Sequence, residues 1–334
     1  MYLVTGGCGL VGQAIVAQLL ARGERVRVFD LKPHPDSRVE SMVGDLRSPA
    51  EVAKACSGVE TVFHTAAMIN VSPGKPTGMY EVNVGGTQNV IKACEARKVK
   101  KLIHTSTEDV VFDFRPVADG DETEPYPRRY AHYYSETKTL AEQAVVASNS
   151  PKGLLTCAIR PTGVYGKHDR ARFPNILSLA KQGSFFRIGD GSGRQNYVYA
   201  ENLAHAHLLA ADCLAPDSPV GGSIYVITDH EPINFFDFVL PFVQSCGFDP
   251  VVKSMSFTVA YGIASATEAM WYLAPRRVMT GVPLTRYIAY SLTHDFWFNS
   301  KKAAKELGYQ PIVSQKEAFD RTTEWLKETL LPTL

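Results

Sequence analysis

Thr5-Gly6-Gly7-Cys8-Gly9-Leu10-Val11-Gly12 is the stretch on which the reading of this chain turns. It follows a short apolar run, Tyr2 to Thr5, and opens a segment, Leu10 to Arg22, in which Val11, Ile15, Val16, Leu19 and Leu20 fall at helical spacing before Gly23. A strand, a glycine-rich turn and a helix in that order present free backbone N–H groups at a helix N-terminus, a ready seat for a phosphate. Gly6 lets the chain turn tightly, Gly9 lets backbone approach a pyrophosphate, and Gly12 lets helix and sheet pack closely. About twenty residues on, the next strand, Arg25 to Asp30, ends in a carboxylate. Such a group accepts hydrogen bonds from ribose hydroxyls and repels a 2′-phosphate. The expected cofactor is therefore NAD, with NADP left open by Lys32 nearby.

Strands expected at Val59–His64, Lys101–Thr107 and Leu155–Arg160 alternate with helices at Val84–Arg97 and Tyr134–Ala147. That rhythm predicts an α/β fold, a Rossmann-type doubly wound parallel sheet. It breaks after Gly166, where prolines and aromatics take over, and helices return at 200–211, 235–244, 301–307 and 315–329. Residues 1–166 read as the dinucleotide-binding domain, with 195–230 returning to it. Residues 167–194 and 231–334 read as a smaller mixed α/β substrate lobe.

The 334 residues, 45% of them hydrophobic and 21% charged, suffice for two such lobes. With 35 basic residues against 34 acidic ones there is no basic excess, which argues against a nucleic-acid partner. Six scattered cysteines (Cys8, Cys56, Cys94, Cys157, Cys213 and Cys246) form no C-x-x-C pair and read as free thiols of a cytoplasmic protein. The apolar stretch Phe257 to Ala274 is broken by Thr258, Ser265, Thr267 and Glu268, so a membrane span is not expected. Together with Met279–Leu292, and with Arg276 and Arg277 between, it reads as the wall of an apolar cavity, a peripheral contact with a bilayer surface, or a plain core helix pair. His205 and His207, two apart on a helix, point to different sides, and no metal site is expected.

Further segments fall where a dinucleotide needs them. Gly44-Asp45-Leu46 could hold an adenine, Phe63-His64-Thr65-Ala66-Ala67 ends a strand in small residues, and Asn83-Val84-Gly85-Gly86-Thr87 begins a helix. Tyr134 and Lys138 lie four apart and project from one helix face. Oxidation of a secondary alcohol needs a base for the hydroxyl proton, and a free phenol is a poor one at neutral pH. A lysine ammonium beside it favours the phenolate. Thr107 is expected at the C-terminal end of its strand, where open α/β sheets hold ligands, and would orient the same oxygen.

These motifs, in this order, resemble the extended short-chain dehydrogenase/reductases over nearly the whole chain: Thr5-Gly6-x-x-Gly9-x-x-Gly12, Asp30, Asp45-Leu46, Asn83-Val84-x-Gly86-Thr87, Tyr134-x-x-x-Lys138 and Arg160-Pro161-x-x-x-Tyr165-Gly166. Within that family the chain is most similar to the 3β-hydroxysteroid dehydrogenase branch, in particular the sterol-4α-carboxylate 3-dehydrogenases. Tyr133–Lys138, Ala158–Pro161, Tyr225–Ile233 and Lys301–Pro311 carry this closer likeness. The resemblance implies NAD(P)-dependent oxidation of a 3β-hydroxyl, with Tyr134 as acid/base, Lys138 on the nicotinamide ribose and Thr107 third. It implies cofactor contacts from Thr5, Gly6, Gly9, Leu10, Val11, Gly12, Asp30, Asp45, Leu46, Ala66, Ala67, Asn83 and Thr105, with Pro161 and Thr162 facing the carboxamide. It also implies a homodimer and a sterol or lipid substrate; one with a carboxylate beside the alcohol would give a β-keto acid that loses carbon dioxide. Three other readings stay open: a reductase of long-chain β-keto acids, a nucleotide-sugar epimerase or dehydratase, and a non-catalytic NAD-sensing regulator. The sugar-nucleotide enzymes commonly carry an arginine where this chain has Gln195, with Arg194 displaced by one.

Overall fold

The computed structural model describes residues 1–273 and 284–334. Its centre is a sheet of seven parallel strands in the order Ile224–Ile227, Leu155–Pro161, Lys101–Thr105, Thr61–His64, Tyr2–Thr5, Val26–Asp30 and Glu40–Val43. Successive strand residues point to opposite faces, and the sequence supplies an apolar group for each. Leu3 joins Phe29, Val62 and Leu102 in one core, while Val4 joins Val28, Phe63 and Ile103 in the other. The helix Leu10–Ala21 lies against Ala200–Cys213 on the second core. Pro49–Ala55, Gly86–Arg97 and Tyr133–Ala147 cover the first. Strand order reverses beside Tyr2–Thr5, and the crevice at the C-terminal ends of the strands opens there.

The pieces after Gly166 are distributed between both parts. Tyr197–Tyr199 pairs with Gly163–Tyr165, and Ile224–Ile227 closes the sheet beside Leu155–Pro161. Lys301–Leu307, expected in the substrate lobe, packs on Ala200–Cys213 and Ile224–Ile227, so Ala303, Leu307 and Tyr309 belong to the sheet's own core. A separate core of the lobe gathers Phe173, Ile176, Phe238, Phe242, Trp325 and Leu326.

Two local features depart from expectation, and a third falls within the readings left open. Lys101–Thr105 stops two residues before Thr107, whose hydroxyl instead caps the short turn Glu108–Val111 by accepting the Asp109 N–H at 3.3 Å. A threonine that bonds the backbone two residues on in this way favours a turn over the ladder. The edge strand Glu40–Val43 and helix Pro49–Ala55 add to the expected set. The strand is largely exposed and lacks the apolar alternation that would announce it. Finally, Phe257–Leu273 is one long helix packed on the short helix Arg286–Ser291, burying Ala260 and Ala264 while Val259, Ile263, Met270 and Leu273 face outward. Arg276, Arg277 and Met279 lie outside the described residues. Among the described residues no helix is long and apolar enough to cross a membrane.

Candidate active site

The crevice is a cavity of about 2020 Å³. Sites for a single small molecule span roughly 300–1,000 Å³, so this one has room for a dinucleotide and a second ligand. Its walls include Gly6, Gly9, Leu10, Val11, Gly12, Asp30, Asp45, Leu46, Ala66, Ala67, Thr105, Thr107, Tyr134, Lys138, Pro161 and Thr162, drawn together from seven segments. Thr5 and Asn83 stand behind the wall. The Asn83 side chain accepts the Met68 N–H at 2.7 Å and donates to Met68 O and Thr137 Oγ1 at 3.0 Å, tying the loop after Ala67 to the Tyr133–Ala147 helix. It positions the wall from behind, because its amide is fully used in that bridge.

The glycines have steric causes. Gly6 has φ +71°, and a Cβ there would lie 2.7 Å from Ala66 Cα. A Cβ on Gly12 would meet Gly7 Cα at 2.7 Å and the Gly6 carbonyl closer still. At Gly9 the nearest atom is Gly6 O at 3.2 Å, so a side chain there would fill cavity space. Asp30 accepts the Cys8 N–H at 3.0 Å and so braces the loop. Asp45 is clasped by Arg47, Nη2 to Oδ2 2.6 Å, and this contact holds its carboxyl below the usual range. The buried Leu46 lies where only glycine fits at position 86: a Cβ there would stand 2.8 Å from Leu46 Cβ.

Tyr134, Lys138 and Thr107 line one side of the cavity and are each largely buried. Lys138 Nζ donates to the Thr105 carbonyl at 2.6 Å and to His104 Nε2 at 3.2 Å. Burial lowers its pKa to about 8, partly opposed by Glu142. The expectation that this ammonium eases ionisation of Tyr134 needs correction. Burial pushes the phenol well up, Asp109 and Glu108 push it further, and a hydrogen bond with Thr107 is the contact that works the other way. Burial is the first cause, and the turn after Thr107 adds to it by bringing two carboxyl groups toward the tyrosine while Lys138 reaches for the strand beneath.

Three histidines that spacing did not single out as site residues support this floor. His64 joins Thr5 Oγ1 at 2.7 Å and Thr87 Oγ1 at 2.9 Å, and Thr87 itself donates to Asn83 O. His207 Nε2 meets the Thr105 hydroxyl at 2.7 Å and Nδ1 meets Leu203 O at 2.8 Å. Burial drives His64 to about 3 and His207 to about 4, and His104 well below its ordinary value. All three are neutral at pH 7, so His104 can accept from Lys138. On the next turn of the same helix, Glu142 grips Arg160 at 2.9 and 2.8 Å and accepts the Tyr126 hydroxyl at 2.7 Å.

Gln195 lines the cavity, with its amide donating to Ser291 O. Arg194 turns away to Asp295, Nη2 to Oδ2 2.7 Å, and lies half exposed. The displaced arginine is therefore not at the cavity wall.

A model of the 3-beta hydroxysteroid dehydrogenase/isomerase family matches residues 3–258. The chain is 36% identical over 330 residues to a 3 beta-hydroxysteroid dehydrogenase/Delta 5→4-isomerase of Mycobacterium tuberculosis, across 95% of this chain and 88% of that one. It is 37% identical over 331 residues to the decarboxylating sterol-4-alpha-carboxylate 3-dehydrogenase of Mus musculus, across 96% and 89%. A 2-alkyl-3-oxoalkanoate reductase of Stenotrophomonas maltophilia is 36% identical over 325 residues, across 96% and 97%. Among solved structures, the Thermus thermophilus UDP-glucose 4-epimerase complex with NAD superposes with a TM-score of 0.74 at 23% identity, across 98% and 99%, a likeness of fold. The family match and the relatives that span nearly the whole chain give one placement: the chain belongs to the 3-beta hydroxysteroid dehydrogenase/isomerase family and is an oxidoreductase of that family.

Proposed function

We propose that this protein oxidises the 3β-hydroxyl of a sterol-like substrate with NAD as hydride acceptor. The observation that carries the reading is the convergence of Tyr134, Lys138 and Thr107 on a cavity that the Gly6–Gly12 loop also lines. That loop fits a dinucleotide: its glycines leave backbone bare where a Cβ would collide or fill the cavity, and Asp30 stands at its side. NAD, when bound, supplies the acceptor for the hydride leaving the carbinol carbon. Gly9 and the first turn of Leu10–Ala21 would hold its phosphates, Asp30 its adenosine ribose, and Lys138 its nicotinamide ribose. Tyr134 would take the hydroxyl proton as the carbonyl forms, and Thr107 would hold the same oxygen in line. The phenol starts protonated, so oxidation gains with rising pH, whereas ketone reduction can use the phenol as it stands. The second ligand's share of the cavity is walled by Phe185, Ile188, Tyr287, Ile288 and Leu292, which suits an apolar skeleton.

The test offers the purified protein NAD or NADP with a 3β-hydroxysterol, its 4-carboxylated form, a long-chain 3-hydroxy acid and a nucleotide sugar, following absorbance of the reduced cofactor. Turnover of a sterol with NAD, higher kcat/KM than with NADP, and a fall of about 10³-fold or more in Tyr134→Phe are expected. Sterols left untouched beside an oxidised nucleotide sugar would overturn the reading.

A further inference from the structure

The lobe brings two arginines to the cavity wall that the reaction above does not use, the exposed Arg170 and the half-buried Arg172. Arg172 precedes the helix Phe173–Lys181, and its side chain lies over the Tyr197 ring, Cζ 5.2 Å from the centroid. Tyr197 is itself fixed, stacked on Phe238 with centroids 3.7 Å apart. Gly163 makes the space: a Cβ there would stand 2.7 Å from Tyr197 Cδ1 and 3.1 Å from Arg172 Nη2. Gly163 directly follows Pro161 and Thr162, and Arg172 is close enough in charge to act on Glu108, the residue after Thr107, so the guanidinium lies on the side of the cavity where the alcohol would react. Among the described residues Arg172 makes no ion pair within 4.0 Å, and its Nη1 is buried without a hydrogen-bond partner.

A buried guanidinium N–H left unpaired is costly, and the planar fork matches a carboxylate. The acidic groups nearest in charge are Glu108 and Asp169. Asp169 uses Oδ1 on the amides of Ala171 and Arg172, at 3.1 and 2.9 Å. Burial pushes both carboxyls toward the neutral acid, Glu108 with help from Asp109. Arg172 draws both the other way through its charge, but neither approaches the guanidinium within 4.0 Å, so neither occupies its N–H groups.

We propose that Arg172 binds a carboxylate on the carbon next to the reacting carbinol, so that the preferred substrate is a β-hydroxy acid. The inference rests on the alcohol-oxidising reading above and narrows its substrate class. A 4-carboxylated 3β-hydroxysterol and a long-chain 3-hydroxy acid share that chemistry, and the arms of the experiment separate them.

The full chain with saturating NAD is assayed on each acid and on its uncharged counterpart: the sterol without the carboxyl group, and the methyl ester of the hydroxy acid. The readout is the ratio of kcat/KM for acid over counterpart, in wild type, Arg172→Gln and Arg172→Lys. The ratio should exceed one in wild type, fall on the order of 100-fold in Arg172→Gln, and recover in part in Arg172→Lys, which restores charge without the fork. Kd values of the same ligands on the protein with NADH bound give the same ratio where turnover is slow. A ratio of one in wild type, or one that Arg172→Gln leaves unchanged, overturns the proposal. A lowered Tm with an unchanged ratio would make Arg172 an internal partner of Asp169 or Glu108 instead. If only the aliphatic acid is turned over and Arg172→Gln abolishes its advantage, the sterol reading fails while the carboxylate anchor stands.

Discussion

Two successive turns of the Tyr133–Ala147 helix each meet a buried cation, and the surroundings differ in one respect. Toward the C-terminal end, Glu142 holds Arg160 through two hydrogen bonds, and the Tyr126 hydroxyl completes the carboxylate's shell. Toward the N-terminal end, Lys138 has only neutral acceptors, a peptide carbonyl and an imidazole. A fork matched by a carboxylate pins helix to strand and has little freedom to serve another partner. A buried ammonium without a carboxylate keeps an unmet electrostatic demand, which a ligand's hydroxyl can share. Charge closed on itself is architecture; charge left open is a binding or reacting group.

Substituting each partner separately should pull these roles apart. Lys138→Met is expected to give the largest effect, a fall in kcat/KM of about 10³-fold with NAD and the preferred alcohol. Its melting midpoint near pH 7 should stay within a few degrees of wild type, roughly 1 kcal/mol. A variant that keeps a tenth of the activity would show that the open cation is only structural. Glu142→Gln should do the reverse. It leaves Arg160 buried without its anion and should cost roughly 3–5 kcal/mol of stability. Tm in a thermal scan should drop by roughly 5–10 °C, while kcat per folded molecule changes far less. An unchanged Tm would deny the pair its architectural role.

How much of this was legible in the sequence depends on how far apart the cooperating residues lie. Gly6, Gly9, Gly12 and Asp30 act through local backbone shape, so their spacing announces them, and Tyr134 with Lys138 share one helix face. Thr107 reads as a strand end, whereas its own hydroxyl accepts the Asp109 N–H and caps a turn. That turn brings Glu108 and Asp109 toward Tyr134, and no spacing rule reports it. His64 and His104 stand on neighbouring strands 40 residues apart in sequence, with ring centroids 5.2 Å apart. A lone histidine at the end of an apolar strand looks like a filled core position. The usable signal was that two consecutive strands carry one at the same level, His64 paired with His104 in the sheet register. Asn83 and Thr5 were legible as part of a motif, but their place behind the wall came only with the fold. In the lobe, Arg194 was correctly seen as displaced, and its bond to Asp295, 101 residues on, gave the displacement its meaning.

The smallest effect tests the open cation through stability alone, without substrate. Burial lowers the folded pKa of Lys138 to about 8, against 10.5 for an unhindered lysine. Between those values the unfolded chain binds the extra proton and the folded chain does not, so stability rises with pH across the window from about 8 to 10.5. Below pH 8 both states are protonated and the cost of burying the ammonium is complete and constant. Lys138→Met lacks the group, so all other titrations cancel when its unfolding free energy is subtracted from that of wild type at each pH. The difference should be flat up to about pH 7.5 and then move in favour of wild type, by about 3 kcal/mol in all. Arg160 cannot give such a slope, because a guanidinium keeps its proton throughout the range. A flat difference up to pH 10.5 would mean that Lys138 finds in the folded protein a stabilisation equal to water's. The contrast between the two turns of the helix would then lose its physical basis.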